Sequence, residues 1–319
     1  MEKNNDIITL RSRSSGSCIA TGYRLFTSIF RRVFRSSWPV AIIYGLSMAL
    51  LSGYTINHII PLMGLSQIVD PETTHTMWVK VMTTWGAFAL LFVLCAVALA
   101  SYGFSAMREH LQTGLVSRAP HWYGRYDWPT LGRVAVTQLW VVLIAGIVCG
   151  GIAVLWRLGV EHELTTLRIG AAVIGIILTL LMLPLCYTIY KKVLGQSFNM
   201  TAPLKGYLAG LGQIGTLFVV VLVTAIITLL MTLVIELPAI ILYAANIQSQ
   251  IGTLHGDETG MPTSIGWLSF CVFWISGFIQ GYVHLSTLFP LYFAYGSIEN
   301  EQQERRKGER LQAVTLLEP

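Results

Sequence analysis

Six long apolar segments alternate with polar stretches along the chain, at about 38–60, 82–106, 134–156, 169–190, 214–245 and 267–296. A helix of about 20 apolar residues crosses the roughly 30 Å of hydrocarbon in a bilayer, so each segment predicts a membrane-spanning helix. The last two run near 30 residues. They exceed the hydrocarbon thickness and predict tilt, bending or helical extension past the bilayer. The fold class is therefore all-α: a polytopic bundle of six spans arranged as three hairpins. Eighteen of the 21 Lys and Arg residues fall in the N-terminal segment, the second and fourth loops and the C-terminal stretch. Lys and Arg resist translocation, which predicts that both termini are cytoplasmic.

Before the first span, Ile19, Tyr23, Phe26, Phe30 and Val33 recur at the three- and four-residue spacing of one helical stripe. Arg24, Arg31 and Arg35 share another face, with Arg32 beside them. A basic amphipathic helix over 19–37 fits this pattern. It either lies in the cytoplasmic interface, with these arginines toward anionic lipid headgroups, or packs on the protein's own inner face. Residues 1–18 are polar and predict a disordered tail, 19–297 a single transmembrane domain, and 298–319 a cytoplasmic tail. The charged lead is too long for the n-region of a cleavable signal peptide, so the first span is expected to remain as an anchor.

The returning spans end alike, with Tyr102 and Phe104, Tyr187 and Tyr190, then Tyr292 and Tyr295. Pro184-Leu185 and Pro290-Leu291 precede the last two pairs. Repetition of this kind is common in membrane folds grown by duplication, transporters among them. These aromatics, together with Trp38, Trp78, Trp156 and Trp267, are expected at the headgroup level. Gly146 and Gly150, and again Gly277 and Gly281, form G-x-x-x-G faces suited to close helix packing, within the chain or between copies in a homo-oligomer.

Composition agrees with a membrane class. Hydrophobic residues make up 54% and charged residues 12%, against roughly 25% charged in soluble domains, and mean hydropathy is +0.62. A net charge of +5 would suggest nucleic acid in a soluble protein. Here the basic residues flank spans on one face, so anionic lipid is the expected partner and nucleic acid is not. Cys95, Cys149, Cys186 and Cys271 lie in spans and Cys18 precedes them, which predicts small buried apolar residues and no outer disulfide. No C-x-x-C spacing is present.

Candidate chemistry is sparse. Glu236 is the one acidic residue in an apolar span, about 22 residues from its inner end and so roughly 33 Å up. It predicts either a carboxylate reaching outer headgroups, near the bend at Pro238, or a coupling acid. Gln280, His284 and Thr287 share one face of the sixth span and make a candidate polar cavity. His284 would lie about 15 Å from Glu236, too far for a direct pair. The outer loops combine His58, His75, His162 and His255 with Asp70, Glu72, Glu161, Glu163, Asp257 and Glu258, but at no strong ligand spacing. His162-Glu163 lacks the second histidine of H-E-x-x-H. Asn199-Met200-Thr201 matches a glycosylation sequon but falls in a cytoplasmic loop. No catalytic, cofactor or metal residues are assigned.

Tyr23-Arg24-Leu25-Phe26 ahead of an Arg-rich stretch, the three hairpins, and the exit Leu291-Tyr292-Phe293-Ala294-Tyr295 carry a resemblance. In architecture the chain resembles six-span bacterial families such as the membrane domain of some glycerophosphodiester phosphodiesterases and Yip1-like proteins. The resemblance implies a membrane-embedded accessory or scaffolding module. The phosphodiesterase's metal ligands do not appear in the chain, and its activity is not carried over. The expectation is a non-enzymatic multi-pass protein of a bacterial cytoplasmic membrane that organises lipid or a membrane-protein partner. The alternative is a permease for a small solute or lipid that uses the polar face of the sixth span.

Overall fold

The computed structural model describes residues 11–59, 62, 71–113, 128–161, 165–195, 203–254, 256 and 262–315. Seven α-helices are seen among them: α1 (Ser15–Tyr54), α2 (Pro71–Thr113), α3 (Trp128–Glu161), α4 (Thr165–Leu194), α5 (Pro203–Leu211), α6 (Ile214–Leu254) and α7 (Thr263–Thr315). A π-helical turn, Thr55–Ile59, continues α1. No strand occurs among the described residues. All of these helices except the short α5 are long and apolar enough to cross a membrane, so the protein is an all-helical, multi-pass membrane protein.

Every long helix outruns the apolar segment that announced it. α2 and α5 open on Pro71 and Pro203, where a missing N–H costs nothing and a fixed φ suits the first turn. α1 passes through Pro39 unbroken, so the separate interfacial helix expected over 19–37 is the first half of one helix. Its stripe is also packed. Phe26 and Val33 are buried, with Cys18, Leu25 and Ile29 beside them, while Phe30 is exposed. Of the two expected placements for this segment, packing against the protein's own residues describes it.

The C-terminal tail expected from 298 is helical through Thr315. Side-chain pairs one turn apart sustain it, Arg305 Nη2 to Glu301 Oε1 at 2.8 Å and Asn300 Nδ2 to Glu304 Oε1 at 2.9 Å. Helix also extends N-terminal to residue 19, since α1 begins at Ser15, and residues 1–10 lie outside the described residues.

Where one domain was expected, contacts gather into two units. Unit 1 comprises Met1–Val33, Gly103–Ala225 and Ser286–Pro319, and unit 2 comprises Phe34–Tyr102 and Ile226–Leu285. The divisions fall inside α1, α2, α6 and α7.

Unit 1 is held by aromatic and glycine contacts. α3 packs on α4, and α4 on α5. The aromatics that end the returning spans pack together as a core. Tyr187, Tyr190, Tyr292, Tyr295 and Phe104 are all buried. Phe104 meets Tyr190 at 5.1 Å between ring centroids, and Tyr295 meets Tyr187 at 5.5 Å. Burying a tyrosine demands a partner for its hydroxyl. Tyr187 donates to Glu299 Oε2 at 2.6 Å, and Tyr190 donates to the Leu288 carbonyl at 2.6 Å. Lys191 completes the cluster with an ion pair to Glu299 at 3.2 Å. At Gly22 a Cβ would sit 2.5 Å from the Pro290 nitrogen, so α1 and α7 meet backbone to backbone there.

Unit 2 uses the same device with fewer aromatics. A Cβ on Gly45 would lie 2.6 Å from the Trp274 carbonyl oxygen, and Trp274 Nε1 donates to the Ile42 carbonyl at 3.1 Å. Gly277 faces Gly45 and Met48, and Gly281 faces Tyr44 and Leu99. The Gly277/Gly281 face is therefore occupied within the chain and is withdrawn as a surface between copies. The Gly146/Gly150 face of α3 meets nothing within 4 Å. Cys149 and Cys271 are exposed, which corrects the expectation that every span cysteine is buried. Helix faces without packed neighbours place even apolar side chains outward, toward lipid in a membrane protein.

Candidate functional site

One face of α6 in unit 2 carries Thr232, Glu236, Tyr243, Asn246, Gln250 and Thr253 at helical spacing. The facing run of α7 carries His284, Gln280, Phe273, Ser269 and Trp267. Together they form a seam of polar groups and aromatic rings between helices that are otherwise apolar.

Gln280 is its best-defined member. Its side chain is buried, and Nε2 donates to Thr232 Oγ1 at 2.8 Å and lies 3.0 Å from His284 Nε2. Both amide hydrogens are thereby used. Gln280 Oε1 is buried and has no hydrogen-bond partner. The structure thus joins Gln280 and His284 as the shared helix face anticipated, and adds Thr232. Thr287 belongs to unit 1.

Glu236 lies one turn along α6 from Thr232. Thr232 and Gln280 therefore stand between it and His284, and no direct His–Glu pair forms. α6 continues to Leu254 rather than ending near 245, so Glu236 sits well inside the helix. Its Oε1 is buried without a partner. Glu236 lines a cavity of about 140 Å³ with Met48, Ser52, Ala239, Tyr243 and Phe273.

A wider cavity of about 550 Å³ begins at Phe273, which it shares with the first, and extends toward the Leu254 end of α6. Its polar lining includes Asn57, Asn246, Gln250 and Ser269, and its aromatic wall includes Trp267 and Phe270. Asn246 Nδ2 donates to the Leu242 carbonyl at 2.7 Å and to Ser269 Oγ at 3.0 Å. Those bonds commit both amide hydrogens and leave Oδ1 as the acceptor side of the group. No Lys, Arg or His lines either cavity among the described residues.

Sequence reasoning missed Thr232, Asn246 and Ser269, because isolated Thr, Asn and Ser residues in apolar runs carry no motif. Their register on one α6 face was the available signal. Also missed was His110 in unit 1, almost fully buried, with Nδ1 3.1 Å from Tyr292 Oη and Nε2 without a partner. Arg24, Arg31, Arg32 and Arg35 are all exposed. Among the described residues no three His, Cys, Asp or Glu side chains gather as metal ligands. Asp70, His162, Glu163, Asn199, Thr201, His255, Asp257 and Glu258 lie outside the described residues.

No protein-family model matches the chain, and neither a curated protein nor a solved structure does.

Proposed function

We propose that this is a non-enzymatic membrane protein of the permease kind, which takes up a small solute or lipid in the cavities of unit 2. The observation carrying this reading is the seam itself. The buried Oε1 of Glu236, with no partner of its own, belongs to a residue lining a cavity between helices. Gln280, whose Oε1 is also buried without a partner, lies farther along the same seam. Unsatisfied polar atoms in a membrane bundle are costly, and a ligand that supplies hydrogen-bond donors offsets that cost. The proposed setting is a bacterial cytoplasmic membrane, with three hairpins and both termini inside, following the distribution of Lys and Arg.

Native mass spectrometry of protein extracted gently with its surrounding lipid tests this. A small molecule or one lipid class retained at fixed stoichiometry supports the reading, and replacement of Gln280 by Leu should then reduce retention. An empty protein that co-purifies with another membrane protein would overturn it.

A second reading, an organiser of lipid or partner proteins like the accessory modules the chain resembles, draws on the exposed Arg24, Arg31, Arg32 and Arg35. Replacing all four should weaken binding to anionic liposomes by about 1 kcal/mol per charge. Unchanged binding would remove α1 as a lipid-facing element. The Gly146/Gly150 face is the remaining candidate for a homo-oligomer, testable by the mass of the complex in the same experiment.

A further inference from the structure

We infer that the narrow cavity at Glu236 is a site for an organic cation, an amine or quaternary ammonium group carried on a small apolar body. The inference rests on the permease reading of unit 2 and specifies its ligand.

Three features of the cavity select this chemistry. Among the described residues Glu236 is the only carboxylate lining either cavity, and its Oε1 is buried without a protein donor, while no Lys, Arg or His lines them. A buried carboxylate persists in low dielectric only when a cation or donors accompany it. Among the described residues no cationic side chain lines this cavity, and no protein group donates to Oε1. The second feature is aromatic. Tyr243 and Phe273 both line the cavity with Glu236, their ring centroids 6.4 Å apart and their planes at 64°. Ring faces attract desolvated ammonium groups, and a carboxylate beside two rings is a common arrangement for holding one. The third is the remainder of the wall. Met48, Ala239 and Ile240 are apolar and suit the carbon substituents of an amine, and the Ser52 hydroxyl beside them leaves far fewer oxygens than a metal ion's shell of about six or more requires.

Size and access fit the same class. About 140 Å³ holds a compact ammonium group, and Phe273 lines both this cavity and the 550 Å³ one, whose wall carries neutral amides and hydroxyls. Ile240, half exposed, forms a rim of the narrow cavity, so entry from the bilayer is also open. The ammonium group could belong to a free amine or to an aminophospholipid headgroup, and the chemistry at Glu236 is common to both.

The test uses the full-length protein in phosphatidylglycerol nanodiscs, with benzyltrimethylammonium as probe and its uncharged isostere neopentylbenzene as control. Binding is followed by quenching of tryptophan fluorescence and confirmed by calorimetry. The expected result is saturable binding of the cation and much weaker binding of the isostere. Glu236→Gln should weaken cation binding by about tenfold or more. Tyr243→Leu should reduce cation affinity while leaving the isostere unchanged, which keeps the inference testable should the glutamine variant fold poorly. Adding phosphatidylethanolamine to the nanodisc separates the sources, since competition identifies a lipid headgroup and its absence a free amine. Equal binding of probe and isostere, or full cation affinity in Glu236→Gln, overturns the inference. If the probe fails while native mass spectrometry still finds a retained neutral molecule, the cation site falls and the permease reading stands.

Discussion

The two units are built from similar helices, several of them the same helices. Each buries a polar atom without a partner, His110 Nε2 in unit 1 and Glu236 Oε1 in unit 2, but they differ in what lies beside it. In unit 1 the Tyr187 hydroxyl, the Lys191 ammonium and the Glu299 carboxylate close on one another, and Tyr190 caps a backbone carbonyl. Within that cluster donor meets acceptor and charge meets charge, while His110 Nε2 elsewhere in unit 1 has no partner. In unit 2 the seam stops short. Glu236 Oε1 and Gln280 Oε1 are buried without partners, and cavities lie along the same helix faces. A network that completes itself rigidifies a core, whereas an incomplete one has capacity left for a ligand. What sets unit 2 apart is the space beside the unpartnered group, where Glu236 lines a cavity of about 140 Å³.

The largest effects should come from the glycine crossings, which serve both units. Gly22→Ala and Gly45→Ala each drive a methyl group into the backbone of α7, which cannot yield as a side-chain tip can. Each should cost about 3 kcal/mol or prevent folding, measured as loss of thermal stability by size-exclusion chromatography after heating. Wild-type stability in either variant would show that these helices do not meet there.

Next in size is the closed cluster of unit 1. Tyr187→Phe removes a hydrogen bond to the Glu299 carboxylate and should cost about 2 kcal/mol, read by the same heating assay. Gln280→Leu in unit 2 breaks bonds to Thr232 and His284 but also removes the unpartnered Oε1. The two changes offset each other, and the net cost should stay within about 1 kcal/mol. Were Gln280→Leu the more damaging of the two, the bonds of Gln280 to Thr232 and His284 would contribute more to packing than the Tyr187 cluster.

The smallest effect makes the control. Gly146→Ala meets open space on α3, so it should leave stability unchanged or raise it by up to about 1 kcal/mol through helix propensity. A large loss there would mean that this face is covered by a second copy. The same substitution thus changes sign with its surroundings.

Much of this was legible in the chain, and the limits have physical causes. The six apolar helices follow from segment length and hydropathy, since burial in hydrocarbon is a property of each segment alone. The common face of Gln280 and His284 follows from helical spacing. Helix ends were not legible. α1, α6 and α7 run past their apolar stretches because polar residues keep helical geometry once a helix is nucleated and packed.

Pairing between distant residues lay further out of reach. Nothing local in the sequence says that Thr232 is level with Gln280, or that tyrosines from two returning spans pack against each other. The two G-x-x-x-G motifs look alike as text. Only packing distinguishes Gly277 and Gly281, pressed against Gly45 and Tyr44, from Gly146 and Gly150, which touch no neighbour. Sequence alone determined that the chain enters a membrane as six helices, because that choice depends on the free energy of each segment in lipid. Tertiary structure decided which polar atoms found partners and which were left facing a cavity, because that depends on the register between helices far apart in the chain.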